Sequence, residues 1–196
     1  MKKIFIFFIL LLSTNCIAQD KILEKVEKYI TQIYDLRYNE LLYVNILEQK
    51  MYLIEKNEIL NTFIISSSEN GTGSKSGSNK TPIGLHKIKE KIGHKTPIYG
   101  RMIGRKFYGD IAKIYYDKTR SKTDDITSRI FWLEGIEEGL NKGNGIDSYK
   151  RYIYIHGTSE EGLLGTPSSH GCIRMRNKEV IELYDIIKIG TLVLIL

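Results

Sequence analysis

The sequence predicts a mainly β, α+β domain of two packed sheets, with one helix before them and one after Cys172. Three observations carry this. LLYVNIL, MYLIEKN and ILNTFIIS are short runs rich in β-branched and aromatic residues, divided by polar turns. Helical spacing of apolar residues occurs only over 20–37 and 177–188. The final TLVLIL reads as a buried strand. A chain of 196 residues with 42% hydrophobic and 27% charged residues is one ordinary globular domain, too apolar for disorder. Two cysteines exclude a disulfide-rich scaffold, and a net charge of +6 is too small to indicate a nucleic-acid partner.

Residues 1–18 read as an address. Lys2 and Lys3 precede an apolar run over 4–12, and Cys16-Ile17-Ala18 precedes Gln19. A basic start, a short apolar stretch and small residues describe a secretory signal peptide cleaved after Ala18. A retained anchor and a lipid on Cys16 are the alternatives, Asn15 being a poor fit to lipoprotein processing. These two features are the only expected ties to a membrane. Cleavage removes two lysines and no acid, lowering the charge to +4 and leaving Cys172 as the single thiol. The localisation expected is the periplasm or cell envelope.

Residues 19–40 form the expected N-terminal amphipathic segment, with Ile22, Leu23, Val26, Ile30, Ile33 and Tyr34 on one face and Asp20 as its cap. Residues 41–196 form the expected main domain. Within it, 66–80 is a polar, glycine-rich stretch, read either as a mobile loop beside a site or as a plain solvated connection. It lacks GxxxxGK[ST] and GxGxxG, so it is not a phosphate cradle. GLHKIKEKIG and IFWLEGI are further strands, and residues 141–147 are turn material. His86 and His94, in a lysine-rich stretch, are expected on the surface. Residues 177–188 read as a helix capped by Asn177 and closed near Gly190.

The chemistry gathers in residues 149–177. Alternation over 152–155 predicts a strand ending at His156, with Gly157 as a sharp exit. Ser168-Ser169-His170-Gly171-Cys172 is a tight turn, in which Gly171 lets backbone approach a ligand. A cysteine attacks only as thiolate, and a histidine in reach takes its proton. Backbone N–H groups at Gly171 and Cys172 suit a tetrahedral oxyanion. Two other readings meet the same residues: a buried structural cysteine with satisfied histidines, and zinc bound by His156, His170 and Cys172. No CxxC or His-x-His pair supports zinc. On residue types alone, His156 and His170 both stand as the base. Arg174 reads equally as a bidentate contact to a substrate carboxylate or as a brace for the loop. Ser169 reads as a turn hydrogen-bonder at the edge of the substrate site.

His156-Gly-Thr followed by Ser169-His-Gly-Cys-Ile-Arg-Met resembles the active-site motif of YkuD-type L,D-transpeptidases. Lys80-Thr-Pro-Ile-Gly-Leu-His-Lys-Ile is similar to that family's TPxG segment, and Gly190-Thr-Leu-Val-Leu-Ile to its closing strand. The resemblance spans about residues 41–196. It implies an extracytoplasmic enzyme acting on peptidoglycan stem peptides, with no cofactor and no metal. It assigns Cys172 as nucleophile, His156 as base, Gly157 as the carbonyl holding the ring, and His170, Gly171 and Cys172 as the oxyanion environment. A hydrolase using the same acyl-enzyme and a non-catalytic wall-binding protein are the competing functions. The interval between His156 and Ser169 is 12 residues, short for the family.

Overall fold

The computed structural model describes residues 19–196; the expected signal peptide and Cys16 lie outside the described residues. Helix α1 covers residues 19–34 and is π-type over Lys28–Ile33. Asp20 lies inside it rather than at its cap, and Asp35, at a φ of +47°, ends it before the expected limit. Ten strands follow: β1 (Glu40–Asn45), β2 (Lys50–Glu55), β3 (Glu58–Ile64), β4 (Gly84–Ile92), β5 (Gly100–Ile103), β6 (Lys106–Ile111), β7 (Ile126–Gly135), β8 (Tyr154–Thr158), β9 (Ile173–Met175) and β10 (Leu192–Ile195). Helix α2 (Asn177–Ile186) joins β9 to β10.

The α+β character is as expected, but hydrogen bonds link all ten strands into one mixed sheet rather than two separate ones. Its main path runs β3-β2-β1-β10-β4-β7-β5-β6, with β8 and β9 branching from β7. The arms nevertheless share a core, because Leu42, Met51, Phe63 and Val193 cluster with Ile155, Ile173, Val180 and Leu183. A bridge between Ser66 and Arg174 ties the end beyond β3 to β9.

The β1 run LLYV is apolar at every position because both of its faces are covered. Leu42 and Val44 enter the central core, while Leu41 and Tyr43 meet α1 through Val26 and Ile30. Both helix residues are fully buried, each contributing about 1.5–3 kcal/mol by leaving water. Strands β5 and β6 were not legible in the sequence, since β5 has only four residues and β6 is exposed along nearly its whole length.

Two expectations are corrected here. Asn177 is the first residue of α2, not its cap; the capping position is Arg176, which makes no side-chain cap bond. Asn177 instead turns inward, donating to Thr158 O at 2.7 Å and to Glu161 at 2.8 Å. His86 is fully buried, while His94 is exposed as expected. On β4, Nδ1 of His86 lies 3.0 Å from Gly84 O and Nε2 lies 2.9 Å from Ser148 Oγ. The lysines around it sit on the opposite face or at the strand's end, which the local charge could not reveal.

Candidate active site

Strand β8 runs between β7 and β9, pairing His156 with Ile130 on one side and Arg174 on the other. All five of its residues are buried. His156 Nδ1 lies 2.7 Å from Gly157 O. A carbonyl only accepts, so Nδ1 carries the proton and Nε2 keeps a free lone pair. Burial lowers the His156 pKa from 6.5 to about 4, with the Gly157 carbonyl and Asp124 opposing and Arg174 assisting. The ring is a neutral base at physiological pH.

Gly157 is not the expected sharp exit but sits inside β8. A Cβ there would lie 2.6 Å from Asn177 Oδ1 and 2.8 Å from Thr127 O. Gly157→Ala is expected to cost about 1–3 kcal/mol by overpacking. Denaturant titration checks this, and an unchanged midpoint would show that Asn177 can move aside.

The parallel pairing of β8 with β9 matches Ile155 with Ile173, which brings Cys172 beside the start of β8. Cys172 is half-buried. Its thiol donates to Tyr152 O at 3.4 Å, and Sγ accepts from Tyr154 N at 3.4 Å. Sulfur is thus held by the strand that carries His156. Burial pushes its pKa up to about 12, only partly offset by the Tyr154 N–H and the Arg174 and Arg151 charges. The resting pair is a neutral thiol and a neutral imidazole.

The turn before Cys172 is internally bonded. Ser169 Oγ donates to Cys172 O at 2.6 Å and accepts from Gly171 N at 3.2 Å, the turn bonding expected of it. Gly171 has a φ of +129°, which glycine adopts without strain. Thr81 Oγ1 donates to Gly171 O at 3.0 Å and accepts from Ser68 N at 2.9 Å, so the threonine of the TPxG segment fastens the cysteine turn. Ser66, Ser67 and Ser68 are buried, which makes the first part of 66–80 a wall of the site rather than a solvated connection.

His170 is half-exposed, with Nδ1 2.6 Å from Asp124 Oδ2 and Nε2 3.8 Å from Glu69. Arg174 is 1% exposed; it binds Glu160 at 2.6 Å through Nη1 and Asp124 through Nη2. Of the two readings of Arg174, this is the brace: both amino groups are spent on protein carboxylates, and none faces an incoming substrate. Asp124 and Glu160 were missed in the sequence. Asp124 lies in the polar stretch before β7 and no motif marks it, while Glu160 follows the HGT run without a spacing signal.

Two buried histidines make stability pH-dependent. His86 and His156 both titrate near 4 when folded and near 6.5 when exposed, because burial disfavours their charged forms. Their stabilisation is complete above the unfolded value and is lost as pH falls from 6.5 towards 4. Each contributes up to about 3 kcal/mol over that window. Urea midpoints at pH 7, 6 and 5 check this, with His86→Gln expected to reduce the slope. Equal midpoints across the series would disprove it.

These features define a class: a β-rich domain in which a turn cysteine is held by the backbone of the strand that carries a histidine locked by its neighbour's carbonyl. The family model described as YkuD, the L,D-transpeptidase catalytic domain, matches residues 39–195. The chain belongs to that family. A protein of Bacillus subtilis (strain 168) bearing the name L,D-transpeptidase YkuD is 50% identical over 65 residues, covering 31% of this chain and 40% of the relative. A second from that strain, bearing the name L,D-transpeptidase YqjB, is 54% identical over 45 residues, covering 23% and 26%. The matched segments thus span less than half of these relatives. Among solved structures, an L,D-transpeptidase from Xylanimonas cellulosilytica has a TM-score of 0.46 at 19% identity, covering 82% of this chain and 62% of that one. One from Mycobacterium smegmatis has a TM-score of 0.48 at 14% identity, covering 81% and 58%.

Proposed function

We propose that this chain is an exported cysteine acyltransferase acting on peptidoglycan stem tetrapeptides, with residues 1–18 as its signal peptide, 41–196 as its catalytic domain and the periplasm or cell envelope as its place of work. The supporting observation is the His156 ring, its Nδ1 proton held by Gly157 O and its Nε2 free, on the strand whose backbone holds Cys172 Sγ.

In this reading, thiol and imidazole meet the substrate uncharged. The proton passes from Sγ to His156 Nε2 as the C–S bond forms at the carbonyl before the terminal D-Ala. Backbone N–H groups of the His170-Gly171-Cys172 turn take the developing oxyanion. Gly171 N, bonded to Ser169 Oγ in this structure, exchanges that bond for the stronger charged one. The imidazolium returns its proton to the departing D-Ala amine, leaving a thioester on Cys172. An acceptor amine, deprotonated by His156, then attacks the thioester; the C–N bond of a 3–3 crosslink forms, the C–S bond breaks, and the imidazolium returns its proton to Cys172 Sγ.

A thiol titrating near 12 predicts slow alkylation of the free protein. Its thiolate is scarcer than an ordinary cysteine's but intrinsically more nucleophilic, so iodoacetamide should react about 50-fold more slowly at pH 7. The rate should climb through pH 9 without levelling. A plateau below pH 8 would reveal a preformed thiolate instead.

The deciding experiment is intact mass of the protein lacking residues 1–18, incubated with disaccharide-tetrapeptide, with Cys172→Ala alongside and muropeptides read out together. The expected result is an acyl adduct on the wild type only, with 3–3 dimers accumulating. Tripeptide without dimers would make it a carboxypeptidase. Absence of adduct and product, or equal turnover by Cys172→Ala, would end the thiol mechanism.

A further inference from the structure

An aromatic shelf adjoins the cysteine, and an arginine without a carboxylate partner lies across it. Tyr152 and Tyr154, whose backbone groups hold Sγ, set their rings 5.6 and 5.5 Å from the Trp132 ring. The Arg105 guanidinium carbon sits 4.7 Å from the centre of the Trp132 ring and 5.3 Å from that of Tyr152. Arg105 Nη1 donates to the Tyr154 hydroxyl at 3.3 Å.

The backbone sets both partners at an energetic cost. Ile103 pairs with Lys106, so Gly104 and Arg105 form a two-residue hairpin turn with φ of +55° and +67°. Such turns favour glycine or asparagine where Arg105 stands. Tyr152 has a φ of +58° and is 54% exposed. Two side chains held in left-handed backbone therefore meet on the Trp132–Tyr154 cluster, against which the one free thiol among the described residues packs.

Arg105 also differs in its partners. Arg101, Arg120, Arg174 and Arg176 each reach a carboxylate, Arg129 and Arg151 bind backbone carbonyls, and Arg37, which also makes no ion pair among the described residues, lies in the connection between α1 and β1. Among the described residues Arg105 has no Asp or Glu within ion-pair distance. Glu90, whose field reaches it, accepts the Tyr149 hydroxyl instead. A guanidinium has five N–H donors, and one hydroxyl satisfies only one.

We propose that Arg105, laid over Trp132 and Tyr152, is the recognition residue for a substrate peptide carboxylate beside the carbonyl that Cys172 attacks. This rests on the reading of Cys172 as the acyl-accepting nucleophile. The aromatic faces orient the planar guanidinium, and its unused N–H pair matches a carboxylate bidentately. Two carboxylates of a tetrapeptide donor have this chemistry: that of the departing D-amino acid, and that on the side chain of the third residue.

Two measurements test it. The first compares labelling of Cys172 by iodoacetate and iodoacetamide at pH 9, in the wild type, Arg105→Gln and Arg105→Lys. Removing a nearby cation should lower the ratio of anionic to neutral labelling about 5-fold in Arg105→Gln, and Arg105→Lys should retain most of it. An equal ratio in all three overturns the proposal, and this readout stands whether or not the protein turns over stem peptides. The second uses the donor with either carboxylate amidated. Arg105→Gln should raise KM about 10-fold with kcat within about 3-fold, and the amidated donor that no longer responds to the substitution identifies the carboxylate bound. A KM rise equal for all donors overturns the assignment. No turnover by the wild type would overturn the acyltransferase reading, while a lowered labelling ratio would still support the shelf.

Discussion

Arg174→Ala is expected to lower global stability by about 3–5 kcal/mol, enough to shift Tm by about 10 °C in a domain of this size. The guanidinium is 1% exposed and neutralises both Asp124 and Glu160. Without it, Glu160, itself 4% exposed, keeps Ser121 N at 2.6 Å and Ser121 Oγ at 2.9 Å but loses its counter-charge. Asp124 keeps His170. The penalty is that of a buried, unpaired carboxylate, so it should shrink as pH falls and the acid protonates. Arg174→Ala combined with Glu160→Gln should recover part of the loss, because an amide retains the Ser121 bonds without charge. Arg174→Lys should not rescue fully, since one ammonium cannot span two carboxylates. Urea titration of the three variants at pH 7 and 5 reads this out. A loss below about 1 kcal/mol would mean that water reaches the pair and that the network does not hold the stretch before β7 against the cysteine turn.

His156→Ala is expected to slow acylation of Cys172 by about 100- to 10,000-fold while leaving substrate affinity nearly unchanged. Nothing else described here offers the thiol a neutral base on the same strand, and a thiol near 12 needs one. The pH profile carries the sharper signature. A base must be unprotonated to act, so with His156 near 4 the acid limb of kcat/KM should fall near pH 4 rather than 6.5. The alkaline side should stay level through pH 9, where an ordinary thiol would already titrate. An acid limb at 6.5 would show that substrate or water restores the ordinary histidine value, and a variant retaining a tenth of the wild-type rate would point to His170 as the base. His170 is the weaker candidate on geometry, since its Nδ1 is committed to Asp124.

The parts legible in the sequence are those encoded within a few residues. LLYV and MYLI declared strands by their β-branched and aromatic residues and TLVLIL a buried strand, and the residues of all three are almost entirely buried. The SHGC run declared a turn within its own few residues, while the ring-holding carbonyl of Gly157 was implied only by the family resemblance, and His156 does bond the carbonyl of the next residue. The hairpin of β5 and β6 escaped because β5 is only four residues long and the exposed β6 has no buried face to print a pattern.

Sequence by itself therefore determined the strand-rich class, the cysteine turn and the candidate chemistry, all of them properties of side-chain type and short spacing. Tertiary structure alone decided which face each polar group meets. It buried His86 against Ser148, turned Asn177 from a cap into a core hydrogen-bonder, closed Arg174 between Asp124 and Glu160, and laid Arg105 over Trp132. These partners are separated by 62, 19, 50 and 14 residues in the first three cases, and by a hairpin and a strand crossing in the last. Burial and charge pairing depend on distance in space, which strand order sets and local sequence does not carry.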